Sequence, residues 1–85
     1  LGLVTRVVAN EEFPAAVKEF AGKLAKAPPI AYRLAKEVLN RAPDVSVDAS
    51  LEKEAMAFGI VTSSEDIYEG IQALMEKREP KFRGE

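Results

Sequence analysis

The chain has 85 residues, with 14 acidic and 12 basic side chains, and it contains neither cysteine nor histidine. A chain of this length forms one domain at most and buries only about 60–65% of its unfolded surface. The missing thiols and imidazoles remove disulfides and the commonest metal ligands, and the net charge of −2 excludes the basic face that nucleic acid requires. No apolar run reaches the ~18 residues that span a bilayer. We therefore expect no metal, no nucleic-acid partner and no membrane partner.

The first eight residues, LGLVTRVV, are predicted to form a short β-strand because β-branched residues dominate them. No second strand-like run follows, so this strand would be an orphan. Unpaired strand edges seek partners, and we expect residues 3–8 to be disordered or to pair with another copy. Since the chain does not begin with Met, we expect it to be part of a longer protein.

Two helices are predicted before residue 42. The first begins at Asn10, a good N-cap, and ends near Lys26 because a proline pair follows. Its apolar residues recur on a single face: Phe13, Val17, Phe20 and Leu24. The second helix runs from about 29 to 41. Its apolar face comprises Ile30, Leu34, Val38 and Leu39.

Two more helices are predicted after Pro43. Ser46 is the expected N-cap of the third, which ends before a Thr-Ser-Ser run, and its apolar face holds Leu51, Ala55, Phe58 and Val61. The fourth begins near Glu65 and ends at Glu79-Pro80. Its expected buried residues are Ile67, Ile71, Leu74 and Met75. The predicted fold class is therefore mainly α, with about four helices after a short N-terminal orphan strand.

The residues by themselves provide no catalytic apparatus. Glu52 and Glu69 lie nearest the apolar faces and could act as acid or base, but solvated helix positions explain them better. Three serines have no histidine to activate them, and caps account for them: Ser46, Ser63 and Ser64. A basic cluster is the best candidate for binding an anion, although complementing the helix dipole is its favoured role. It comprises Lys77, Arg78, Lys81 and Arg83.

The C-terminal segment spells EG-x5-EKR-x-PKF-x-G from Glu69 to Gly84, and Ser64-Glu65-Asp66 precede it. This pattern resembles the end of the enoyl-CoA hydratase/isomerase (crotonase) superfamily. GLVTRVV at 2–8 and PPIAYRLAKEVLNRA at 28–42 resemble other segments of that family in the same order. The resemblance covers essentially the whole chain.

The resemblance implies that the chain is the C-terminal part of a crotonase-like α/β enzyme. Residues 1–8 would be the last strand of a truncated core domain, and residues 9–85 the C-terminal helical region that covers the acyl-CoA site and makes oligomer contacts. In the family, two backbone N–H groups form an oxyanion hole for the thioester carbonyl, and hydratases add two glutamates that place and activate water. All of these lie in the absent core, so no catalytic residue is assigned here.

The resemblance also implies a substrate contact in the last helix. In hydratases of the family, a lysine there reaches the phosphates of CoA, and Lys77 matches its position. Two aromatic positions that accompany it are occupied here by Leu74 and Thr62, which departs from the usual packing against adenine. Charge attraction between Lys77 and a phosphate is physically sound, but an exposed lysine at a helix end is its rival.

The expected function is that of an acyl-CoA enzyme. An enoyl-CoA hydratase of fatty-acid β-oxidation is preferred to an isomerase or a dehydratase. The 85-residue chain alone is expected to be inactive. CoA would enter as part of the thioester substrate, with no separate cofactor. The intact protein is expected to be cytoplasmic, or in the mitochondrial matrix of a eukaryote, and to form a homo-oligomer: a trimer or a dimer of trimers. The chain alone should self-associate or swap helices. The alternative is a free-standing helical interaction module without enzymatic activity.

Overall fold

Four α-helices and two short 3-10 turns make up the regular structure of residues 2–85, which are the residues that the computed structural model describes. The helices are α1 (Phe13–Ala25), α2 (Pro29–Arg41), α3 (Val47–Thr62) and α4 (Glu65–Glu76), and the 3-10 turns are Asn10–Glu12 and Ala42–Asp44. The predicted mainly α fold with four helices is confirmed. The bounds of α2 are those predicted from its two flanking prolines.

The N-terminal segment does not form the predicted strand. Residues 2–9 contain no hydrogen-bonded strand, and Leu1 lies outside the described residues. A strand is held by hydrogen bonds to a neighbouring strand, and the described part of the chain offers none. The segment instead meets α1, where Arg6 Nη1 lies 3.7 Å from Glu19 Oε2. The division into a core strand at 1–8 and a helical region at 9–85 stays a prediction.

The helix ends follow local capping only in part. Ser46 caps α3 as predicted, since its Oγ accepts a hydrogen bond from Ala49 N at 3.2 Å. The predicted cap at Asn10 is wrong, because Asn10 lies inside a 3-10 turn that precedes α1. Ser63 and Ser64 do not cap α4 through their side chains. Their hydroxyls donate to carbonyls of α3 at 2.8 and 2.7 Å, so they satisfy the end of the preceding helix.

The packing faces of α2 and α3 were predicted with unequal success. Three residues of the predicted α2 face are half-buried, namely Ile30, Leu34 and Val38, whereas the fourth, Leu39, is 71% exposed. On α3 three of the four residues of the predicted face are wrong, because Leu51 and Phe58 are 57% and 68% exposed and Ala55 is exposed as well. The half-buried residues of this helix include Lys53, Ala57 and Val61, of which Val61 alone belongs to the predicted face.

The described chain leaves many of its large apolar side chains exposed. Its radius of gyration is 16.2 Å, whereas a compact domain of this length has about 12 Å. Ala73 is the single buried apolar residue among the described ones. α1 packs extensively on none of the other described helices. No helix within residues 2–85 is both long and apolar enough to cross a membrane.

Candidate functional site

The C-terminal tail, residues 77–85, folds back onto α4 and is held there by a buried carboxylate. Asp66 is 6% exposed, and its two oxygens accept hydrogen bonds from Arg83 N at 2.7 Å and Gly84 N at 2.8 Å. Asp66 N in turn donates to Glu85 O at 3.2 Å. The free N–H groups in the first turn of a helix commonly need such a partner. Asp66 therefore fixes the end of the tail against the start of α4.

A second carboxylate, Glu69, fixes the beginning of the same tail. Arg78 donates from Nη1 and Nη2 to the two oxygens of Glu69, at 2.7 and 2.9 Å. Glu69 also accepts from Lys81 N at 2.7 Å. Arg78 Nε reaches Glu76 at 2.6 Å. The forked geometry of a guanidinium suits such bidentate pairing with a carboxylate, so this cluster sets the path of the chain after α4.

The pKa of Glu69 shows how closely the cluster is coupled. The hydrogen bond from Arg78, followed by that from the Lys81 N–H, lowers the pKa of Glu69 from 4.5 to about 2. The same arginine, and then Gln72, lowers the pKa of Glu76. Hydrogen bonds to Glu69 and then Glu76 raise the pKa of Arg78. All three groups are therefore charged at neutral pH, and Arg78 makes four hydrogen bonds within the protein.

Two glycines make room for the tail. A Cβ placed on Gly70 would lie 3.5 Å from Cε1 of Phe82, so the ring of Phe82 rests on the bare backbone of α4. Gly84 has a φ of 77° and a Cβ there would lie 3.1 Å from Pro29 Cγ, at the start of α2. The left-handed backbone and the close approach both favour glycine at this position.

Lys77, the predicted CoA contact, occupies an unusual backbone conformation at the end of α4. Its φ and ψ are 54° and 42°, in the left-handed region, and it is the only non-glycine residue with positive φ in residues 2–85. Arg78 N donates to Ala73 O at 3.0 Å and Lys77 N to Leu74 O at 3.3 Å, which is the hydrogen-bond pattern of a Schellman motif. The helix therefore ends at Glu76, three residues before the predicted end at Glu79.

The two other predicted contact residues lie in different settings. Leu74 is 80% exposed and lines a groove of about 340 Å³ between the start of α2, the end of α3, α4 and Phe82. Thr62 is exposed at the end of α3, and its Oγ1 donates back to Phe58 O at 3.0 Å and Gly59 O at 3.1 Å. The lining of the groove includes Leu74 but neither Thr62 nor Lys77.

The predicted basic cluster is divided by the fold, because Arg78, Lys81 and Arg83 line a pocket with four acidic residues, whereas Lys77 lies outside it. Arg78 is paired with carboxylates, while Arg83 and Lys81 hold the tail through their backbone N–H groups. Sequence reasoning placed Glu69 on a solvated face and Asp66 in a helix first turn, and so missed that both bind the tail. The available signal was Pro80, which ends the helix, followed by Phe82. An apolar side chain soon after a helix end indicates that the chain folds back and packs that side chain against the helix.

Comparison with known proteins places this geometry in a family. Residues 1–85 match the family described as Enoyl-CoA hydratase/isomerase. The chain is 37% identical over 82 residues to crotonyl-CoA hydratase of Syntrophomonas wolfei, a match that covers 96% of this chain and 32% of that protein. It is 41% identical over 86 residues to a probable enoyl-CoA hydratase of Bacillus subtilis, covering 100% of this chain and 33% of that one.

A solved structure agrees with these relatives. The crystal structure of an enoyl-CoA hydratase from Bacillus anthracis superposes with a TM-score of 0.92 at 39% identity, over 99% of this chain and 33% of that one. The chain thus spans about a third of the length of the proteins it matches. Since the family match extends over every residue, the chain belongs to the enoyl-CoA hydratase/isomerase family.

Proposed function

We propose that the chain is the C-terminal helical region of an enoyl-CoA hydratase, which adds water across the double bond of a 2-enoyl-CoA thioester. The observation that carries this proposal is the match over more than nine-tenths of the chain to proteins named as hydratases of enoyl-CoA thioesters, 96% for crotonyl-CoA hydratase and 92% for a short-chain-enoyl-CoA hydratase. The role proposed for the helices is to cover the acyl-CoA site and to contribute to an oligomer contact.

The exposed surface supports a covering role. The described chain has an accessible surface of 7401 Å², whereas a compact monomer of its mass exposes about 5,000 Å². The excess is of the size that obligate interfaces bury, about 2,000 Å² or more. Much of it is apolar, with Phe13 60% and Leu39 71% exposed. Such surface needs a partner, which on this proposal is the core domain and neighbouring subunits in a trimer or a dimer of trimers.

Lys77 is the residue proposed to contact the CoA phosphates. Its side chain is exposed at the end of α4 and has no ion-pair partner within residues 2–85. Leu74, one turn earlier, and Thr62, at the end of α3, are proposed as the flanking contacts. Their side chains offer an apolar surface and a methyl group in place of aromatic rings.

The chain alone is proposed to be inactive, since the oxyanion hole and the water-activating glutamates of the family are expected in the core. Two of its serine hydroxyls donate to carbonyls of α3, and Glu69 is paired with Arg78. The proposed compartment is the cytoplasm, or the mitochondrial matrix in a eukaryote. In support, a human relative, 38% identical over 88 residues, is named as mitochondrial.

The test compares the protein encoded by the complete reading frame with the 85-residue chain. We expect the complete protein to consume a trans-2-enoyl-CoA with formation of the 3-hydroxyacyl-CoA, and the chain alone to show no turnover. Conversion of a 3-enoyl-CoA into the 2-enoyl isomer without hydration would identify an isomerase instead. A complete protein that neither binds nor converts enoyl-CoA would favour an interaction module.

A further inference from the structure

The left-handed turn at Lys77 is a conformation that the residue type does not favour. Its φ of 54° and ψ of 42° lie in a region that glycine adopts readily and lysine does not, because Cβ crowds the following carbonyl oxygen. Glycine is the usual residue at this position of a Schellman motif. A strained backbone persists where the surrounding structure holds it, and such positions cluster at functional sites.

The carboxylate of Glu69 makes the main side-chain hydrogen bonds that hold this turn, and we call this set of bonds the grip on the turn. The residue that follows Lys77 is Arg78, whose guanidinium donates to both oxygens of Glu69 at 2.7 and 2.9 Å. Glu69 also accepts from Lys81 N at 2.7 Å, on the far side of the turn. The carboxylate therefore ties together two points of the chain that lie one and four residues after Lys77. The side chain of Glu69 is 25% exposed and that of Arg78 is 36% exposed, so the pair is partly shielded from solvent.

The grip also separates the neighbouring cations. The guanidinium of Arg78 donates hydrogen bonds to Glu69, to Glu76 and to the carbonyl of Glu79. The side chain of Lys77 makes no hydrogen bond or ion pair within the described residues. The turn thus presents the ammonium group of Lys77, which has no partner among the described residues, beside a guanidinium that uses four of its five donors within the protein. An exposed ammonium group without an internal partner is available to an anionic ligand such as a phosphate.

We propose that Glu69 is a positioning residue for CoA: by holding Arg78 and Lys81 N, it fixes the left-handed turn that directs Lys77 toward the CoA phosphates. The inference rests on the proposed function, since it takes Lys77 as the phosphate contact. Glu69 itself does not touch the ligand. Its negative charge lies in the middle of α4, the helix that Lys77 follows, and through space alone it would repel a phosphate.

Because of that repulsion, an electrostatic role and a positioning role of Glu69 predict opposite changes in CoA affinity when its charge is removed. In the complete protein, Glu69→Gln removes the charge and weakens the grip on Arg78. A purely electrostatic role predicts tighter CoA binding, because one negative charge near the phosphates is gone. A positioning role predicts weaker binding, because the turn relaxes and Lys77 is no longer directed at the ligand.

The experiment measures the dissociation constants of CoA and pantetheine by calorimetry for the complete protein and its variants. We expect Glu69→Gln and Lys77→Ala each to weaken CoA binding about two- to five-fold, the range of an exposed charge contact, and to leave pantetheine unchanged. The double variant should bind CoA no more weakly than Lys77→Ala alone. Glu52→Gln, at an exposed position on α3, is the matched control and should bind as the parent does.

Arg78→Lys alters the Glu69–Arg78 pair from the side of the arginine. It keeps the positive charge but loses the bidentate hydrogen bonding of the guanidinium. It should weaken CoA binding as Glu69→Gln does, with an unchanged circular dichroism spectrum. Tighter CoA binding by Glu69→Gln, or additive losses in the double variant, would overturn the proposal. An effect of Lys77→Ala without any effect of Glu69→Gln would overturn the positioning role alone. Unaltered CoA binding by Lys77→Ala would overturn both the phosphate contact of Lys77 and the positioning role of Glu69. If the complete protein bound CoA but did not hydrate an enoyl-CoA, only the proposed reaction would be overturned.

Discussion

Glu69 and Arg78 form a bidentate pair, with donor–acceptor distances of 2.7 and 2.9 Å, that joins the middle of α4 to the chain just beyond its end. The pair and the Lys81 N–H lower the pKa of Glu69 from 4.5 to about 2. A carboxylate whose pKa is lowered on folding stabilises the folded state above its unfolded pKa, and this contribution is lost as the pH falls toward the folded pKa.

We expect the stabilisation by Glu69 to be present at pH 7 and to fade between about pH 4.5 and pH 2. Urea unfolding of the complete protein and of Glu69→Gln at a series of pH values would measure it. The difference in free energy of unfolding should be largest near neutral pH and shrink in acid. A difference independent of pH would show that Glu69 acts without its charge, and Glu52→Gln serves as the control.

Lys77→Ala should raise the Michaelis constant for an enoyl-CoA about two- to five-fold and leave kcat nearly unchanged. A phosphate contact far from the reacting carbon binds the ground state and the transition state alike. Added salt should reduce the effect, because it screens exposed charges. With an acyl-pantetheine substrate, which has no nucleotide, the effect should disappear. An equal loss with both substrates would indicate a structural role for Lys77.

Lys77→Gly should separate stability from binding. It removes the same ammonium group as Lys77→Ala, so both variants should lose the same CoA affinity. Only glycine relieves the left-handed backbone at φ 54°, and it should raise the free energy of unfolding by about 1 kcal/mol over the alanine variant. Thermal unfolding of the two variants side by side measures this. Equal melting temperatures would mean that the turn at Lys77 is not strained.

The glycines that receive the tail should respond differently to alanine. Gly70→Ala places a methyl group 3.5 Å from Phe82, which is ordinary contact, so a better helix propensity should stabilise α4 by about 0.5–1 kcal/mol. Gly84→Ala meets Pro29 at 3.1 Å with φ at 77° and should destabilise by about 1–2 kcal/mol. Urea unfolding of both variants would check the contrast. If Gly70→Ala were the more damaging, another segment of the complete protein would have to pack on Gly70.

The isolated 85-residue chain should self-associate. Three large side chains on different helices are at least half exposed: Phe13, Leu39 and Phe58. Burying a side chain of this kind gains about 1.5–3 kcal/mol, so contact between copies is favoured. Sedimentation velocity over a range of concentrations should show species larger than a monomer. A monomer at high concentration that fails to bind a hydrophobic dye would contradict this.

The sequence by itself determined the features that depend on neighbouring residues. The prolines at 28 and 29 and the pattern of apolar residues predicted α2 within its observed bounds, and Ser46 was recognised as the cap of α3. Such features are local, because a cap or a proline acts within one turn of the helix. The resemblance carried by the EG-x5-EKR-x-PKF-x-G motif also led to the correct family.

The tertiary structure alone decided which faces and carboxylates meet distant parts of the chain. Apolar periodicity placed Leu51 and Phe58 on the buried face of α3, but it cannot tell a face that packs within this chain from one that awaits another partner. The return of the tail depends on contacts from Asp66 to Gly84 and from Glu69 to Lys81, over 18 and 12 residues. Spacing along a helix does not reveal contacts of that range, because they arise only once the chain has reversed at Lys77.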